Sequence, residues 1–141
     1  LIAIPLFGIS IFELGLPLML LLFSLYLFGV TLGLLVTAGL VRFGPSFENV
    51  AWASLFFIAP LGCIYYPVEI LPNWVQPIAL GLPLAHIFEE MRNILVNQSV
   101  DFKNIYYAIG LNFIYLTLAI SIFYKSFSSA KQKGTLVNIG E

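Results

Sequence analysis

Charged residues are absent from one long stretch of the chain and gather at the edges of others. Residues 14–41, LGLPLMLLLFSLYLFGVTLGLLVTAGLV, contain none. A helix rises 1.5 Å per residue, so about 20 such residues cross the hydrocarbon of a bilayer, and this run predicts a span over 16–41. Pro17 fits its first turn, where a missing N–H costs nothing. The polar stretch 42–48, RFGPSFE, holds Gly44 and Pro45 and predicts a turn. A second span follows over 49–66, with Trp52 near one end and Tyr65 and Tyr66 at the other, where membrane helices carry aromatic belts. Pro60 and Gly62 are expected to kink or unwind its far end. A third span is expected over 105–124, IYYAIGLNFIYLTLAISIFY, entered past Asp101 and Lys103 and closed by Lys125.

Between the last two spans lies YPVEILPNWVQPIALGLPLAHIFEEMR, residues 66–92. Nineteen uncharged residues separate Glu69 from Glu89, nominally enough for a crossing. A continuous helix would have to absorb Pro72, Pro77, Pro83 and Gly81, and each interior proline costs about 3 kcal/mol. We therefore expect two short helices, about 74–80 and 84–96, joined by a bend at GLP. Together they form a re-entrant hairpin over about 70–96.

Composition makes this a membrane chain: 60% of its 141 residues are hydrophobic and 9% charged, against roughly 25% charged in soluble domains. The formal net charge of −1 and the scattered Lys and Arg leave no basic patch for nucleic acid. Arg42, Lys125, Lys131 and Lys133 fall on one side of the expected spans, and Glu13, Glu69, Glu89, Glu90 and Asp101 on the other. Positive residues stay inside, so the 42–48 turn and the C-terminus are expected in the cytoplasm and the hairpin outside, although Arg92 and Lys103 run against this trend. The chain opens inside a hydrophobic segment without Met, and we expect residues 1–12 to be the end of a further span in a longer protein.

Few residues suggest chemistry. Cys63 is the one cysteine, which leaves no internal disulfide or cysteine-based zinc site. His86, Glu89 and Glu90 share a helical face at i,i+3 and i,i+4 spacing, with Arg92 and Asn93 in reach of Glu89. They can form a structural network, line a substrate path, or hold a cation; HExxH is absent. Gly29 and Gly33 form a GxxxG that Thr37 extends, suited to close helix packing in lipid or a by-product of a glycine-rich apolar run. Asn112 is a packing or pathway amide within the third span.

Three stretches resemble the ABC-2 type permeases, membrane subunits of ATP-driven exporters: LVRFG at 40–44, YYPVEILPNWVQPIA at 65–79 and LPLAHIFEEMRNIL at 82–95. The resemblance covers about 10–125, with Ala85 and Glu90 where many members carry Thr and Gly. It implies an all-α integral membrane fold, a helical bundle with three full transmembrane helices, a partial one, and an outward-facing re-entrant helical hairpin. Residues 1–125 would be the C-terminal part of one permease domain and 126–141 a polar cytoplasmic tail.

The function implied is export of an amphipathic or lipid-linked substrate across the inner membrane, without catalysis in this chain. The chain has no GxxxxGK[ST] loop, so ATP and Mg would be bound by a partner P-loop ATPase. A second permease subunit, as a homodimer, and membrane lipids would be the other partners. Pro72, Trp74, Pro77, Gly81, Pro83, His86, Glu89 and Arg92 would form an outer gate, and Arg42 and Glu48 an ATPase-facing loop. The rival functions are an intramembrane enzyme using His86, Glu89 and Glu90, and an ion-coupled secondary transporter. The latter would need acidic residues at mid-membrane, where the expected spans have none.

Overall fold

A computed structural model describes residues 11–97 and 99–132. Most of the expected span 1–12, and Lys133 with the rest of the tail, lie outside the described residues. Among the described residues the chain is helical without strands, and two helices are long and apolar enough to cross a membrane.

Helix α1, Ile11–Phe43, contains the charge-free run. It starts upstream of the expected span, so Pro17 sits inside the helix rather than in its first turn. The chain leaves α1 through Gly44, whose φ of +80° suits a residue without Cβ. Its N–H donates to the Leu40 carbonyl at 2.8 Å.

Helix α2, Phe47–Leu61, begins after this turn. The Phe47 ring lies over Gly39 so closely that a Cβ there would overlap it. At 15 residues α2 is about 22 Å long, shorter than the expected 49–66. Pro60 supplies no N–H to the last turn, and Cys63 turns left-handed at φ 55°, which ends the helix. No residue of α2 is buried, and Trp52, Phe56 and Phe57 are exposed.

A 3-10 turn at Val68–Ile70 leads to α3, Gln76–Leu80, and α4, Pro83–Asn97. The bend between them is at Gly81 and Leu82, with Pro83 at the first position of α4, where proline is tolerated. Helix α5, Phe102–Gln132, continues past Tyr124, where the span was expected to end.

The longest contact joins α1 and α5, and α4 packs into the space beside both. Leu21 of α1 clusters with Ile105 and Ala108 of α5, and with Ile87 and Ile94 of α4. One turn further along each long helix, Ser24 meets Asn112. The register advances in the same sense on both, so α1 and α5 run parallel. Arg42, Lys125 and Lys131 therefore lie toward one end of the bundle, and Glu89, Glu90 and Asp101 at the other.

Much of the apolar surface of the long helices stays uncovered. Only 22% of the most apolar window of each is buried, unlike the core helix of a soluble protein. Tyr26 and Phe23 on α1, and Phe113 and Ile114 on α5, project outward.

Candidate functional site

The helix–bend–helix unit is built on a small apolar base of Cys63, Val68, Ala79 and Ala85, with Leu71 against it. Small residues at 79 and 85 let the backbones on either side of the bend approach. The bend is then fixed by side chains reaching back to its carbonyls. Tyr115 on α5 donates its hydroxyl to the Gly81 carbonyl at 3.0 Å. His86 Nε2 lies 2.9 Å from the Leu80 carbonyl, which can only accept, so this nitrogen carries the hydrogen. The His86 ring stacks on Tyr107, with centroids 5.7 Å apart.

Glu89 and Arg92 tie α4 to the segment after α2. Glu89 Oε1 accepts the Val68 backbone N–H at 2.8 Å and one Arg92 nitrogen at 2.9 Å. The other Arg92 terminal nitrogen donates to the Cys63 carbonyl at 3.2 Å. The left-handed conformation of Cys63 accompanies this contact.

Glu90 points the other way, into α5, and is fully buried. Its Oε1 accepts the Asp101 backbone N–H at 2.7 Å and its Oε2 the Asn104 side-chain amide at 3.2 Å. Asp101 in turn accepts the Lys103 N–H, which caps the first turn of α5.

The shared face expected for His86, Glu89 and Glu90 thus divides into three separate arrangements. Neighbouring helix positions differ by about 100° in direction, enough to send Glu89 and Glu90 to different elements. Among the described residues no group of three His, Cys, Asp or Glu is placed to hold a metal ion. His86 is engaged with the bend and not with either carboxylate.

The remaining gate candidates divide by exposure. Pro83 is buried, whereas Pro72, Pro77 and Trp74 are exposed. The Pro72 carbonyl accepts the N–H groups of Val75 and Gln76, so its role is to set the turn into α3. At Gly81 an added Cβ would come within 3.2 Å of the Ile78 carbonyl, a tight fit at the bend.

At the opposite end Arg42 and Glu48 are both exposed on the α1–α2 turn. Arg42 lies over the Phe43 ring at 5.6 Å, and Glu48 accepts a long hydrogen bond from Trp52 at 3.5 Å. Gly29 and Gly33 face away from the chain's own packing: beyond the neighbouring backbone of their own helix, no atom of the described residues lies within 4 Å of a Cβ built on either. Asn112 is buried between α5 and α1, where its amide nitrogen donates to the Ser24 carbonyl at 2.9 Å and hydroxyl at 2.7 Å. Its Oδ1 has no partner among the described residues.

Sequence reasoning missed Tyr107, Tyr115 and Asn104 as supports of the bend and of Glu90. Spacing within α5 carries the signal, since 104, 107, 108 and 115 fall close to one helical face. No family model, curated protein or solved structure matches the chain.

Proposed function

We propose that this chain is part of the permease subunit of an ATP-driven ABC-2 type exporter, moving an amphipathic or lipid-linked substrate outward across the inner membrane. The observation that carries the reading is the helix–bend–helix unit at the acidic end of two parallel apolar helices. It coincides with the stretches that carry the family resemblance, and side chains at 86, 89, 90 and 92 hold it from both flanks.

In this reading α1 and α5 cross the membrane in the same direction. α2 makes the return crossing, its length of about 22 Å completed by the residues after it, which reach up to about 3.3–3.6 Å each when extended. The helix pair then dips in from the outer face as a re-entrant hairpin and gate. Arg42, Lys125 and Lys131 face the cytoplasm with the C-terminus. On the α5 side the bend is half-buried and its Gly81 carbonyl accepts the Tyr115 hydroxyl, which supports the reading because non-helical backbone at membrane depth needs protein around it.

The protein would act without covalent chemistry. ATP and Mg belong to a partner P-loop ATPase, whose contact includes the exposed α1–α2 turn with Arg42 and Glu48. A second permease subunit would cover the faces that α2 and the Gly29–Gly33 stripe leave open. The intramembrane-enzyme alternative loses support because His86, Glu89 and Glu90 do not converge.

Two measurements test the proposal. The intact protein should co-purify with a P-loop ATPase and couple its hydrolysis to transport; reproducible failure to do so would sink it. In a Cys63→Ala background, cysteines placed at Asn73 and Ser99 should both react with an impermeant maleimide from outside. Labelling from opposite sides would make the helix pair a crossing and overturn the hairpin.

A further inference from the structure

The second half of α4 presents a polar face that extends beyond the contacts Glu89 and Arg92 make with Val68 and Cys63. Glu89, Arg92, Asn93, Val96 and Asn97 follow one another at spacings that keep them on one side of the helix. Ile87, Glu90 and Ile94 occupy the buried side. Asn104 from the first turn of α5 closes the far wall, and these six residues line a cleft of about 280 Å³. That is close to the lower limit of roughly 300 Å³ for small-molecule sites, a size for one ring rather than an acyl chain.

The charge in the cleft is already neutralised. One terminal nitrogen of Arg92 is bound to Glu89 and the other to the Cys63 carbonyl, and no other cation lines the wall. The cleft is therefore no trap for a phosphate. Several hydrogen-bonding positions stay open. Asn97 donates to Asn93 Oδ1 at 2.7 Å, which leaves Asn93 Nδ2 and Asn97 Oδ1 without a partner among the described residues. Asn104 donates to Glu90, so its Oδ1 has no partner among the described residues, and neither has Glu89 Oε2. Three acceptors and one donor on adjacent side chains match a ligand whose groups both donate and accept, which is what a hydroxyl does. Val96 is the one apolar side chain in the lining, enough to meet the C–H side of a ring and too little to receive a peptide side chain.

We propose that this cleft binds a single neutral sugar ring, either free in the aqueous phase or as the headgroup of a glycolipid in the adjacent leaflet. The site stands on α4 and α5 alone and goes beyond the transport reading. It requires neither an ATPase nor a dimer.

The test is an equilibrium one on the intact protein in phosphatidylethanolamine–phosphatidylglycerol nanodiscs. Methyl β-D-glucopyranoside is titrated in solution, and monoglucosyl diacylglycerol is added to the bilayer in a parallel series. Hydrogen exchange reads the second half of α4 and the start of α5. The expected result is a saturable slowing confined to these segments. Asn97→Ala, at an exposed residue, should weaken it roughly three- to tenfold, the effect of one hydrogen bond. Val96→Trp should abolish it by filling the cleft while every polar group remains. Slowing by the glycolipid alone assigns the ring to a lipid, and slowing by both assigns it to sugars generally. No slowing with either probe, slowing that survives both substitutions, or equal slowing by trialanine would overturn the proposal. Because no ATP is present, such a failure leaves the exporter reading untouched.

Discussion

Removing the Glu90 carboxylate should loosen the start of α5 more than any other single change in the helix pair. The side chain is fully buried, with Oε1 on the Asp101 N–H and Oε2 on the Asn104 amide. Hydrogen bonds to a charged group contribute about 1.5–3 kcal/mol each. Asp101 is exposed, so water can take up part of the loss at its N–H. Glu90→Ala should therefore cost about 2–4 kcal/mol, with the vacated volume included.

Glu90→Gln should behave differently. It keeps an oxygen for Asp101, and although its amide nitrogen then faces the Asn104 nitrogen, Asn104 can rotate its own amide to present oxygen. The expected cost is about 1 kcal/mol or less. Asn104→Asp removes the donor to Glu90 and sets two carboxylates against each other, and adding Glu90→Gln should restore most of the loss because the new amide can donate to the new carboxylate. Reversible unfolding in mixed micelles measures all four variants, and hydrogen exchange at the Asp101 amide locates the effect. If Glu90→Ala falls within about 0.5 kcal/mol of the parent, as a neutral surface change would, the carboxylate does not hold α5.

Gly39→Ala should strain the α1–α2 turn by about 1–3 kcal/mol, because its Cβ meets the Phe47 ring. Phe47→Ala should relieve that cost in a double-mutant cycle, and an additive result would refute the contact. Gly29→Ala and Gly33→Ala should not destabilise the monomer, since nothing lies near either Cβ. Asn112→Ala should cost about 1 kcal/mol in bilayer unfolding, typical of an interhelical hydrogen bond in lipid. Arg92→Lys should raise hydrogen exchange at the Val68 N–H and cost about 1 kcal/mol or more, because one ammonium replaces a fork that reaches both Glu89 and the Cys63 carbonyl.

Local signals carried much of the helix order. The charge-free run located α1, Gly44 and Pro45 its end, and the proline and glycine positions at 72–83 the division between α3 and α4. Each is a backbone effect that needs no knowledge of the rest of the chain. Helix ends were less legible: α1 begins well before Pro17, since a proline inside a helix has the same local sequence as one that starts it. The partners of Glu89 and Glu90 were not legible at all. One carboxylate takes a backbone N–H from 21 residues upstream and the other from 11 downstream, and a backbone N–H leaves no trace in residue identity. Helical spacing brings three ionisable residues near each other along α4, but only the tertiary packing decides that they serve three different neighbours.

The parallel direction of α1 and α5 has an electrostatic consequence. Each helix carries about half a positive charge at its N-terminus and half a negative charge at its C-terminus. Antiparallel neighbours bring opposite poles together, whereas here like poles stand side by side at both ends. At packed-helix separations of about 8–10 Å and an effective dielectric constant near 20, each pair of like poles repels by roughly 0.4–0.5 kcal/mol. Arg42 in the last turn of α1 and Lys131 in the last turn of α5 supply counter-charge at one end. Glu90 and Asp101 supply it at the start of α5. The charges at the two ends therefore offset the repulsion between the two longest helices, and exchanging them between ends would strain the bundle from within.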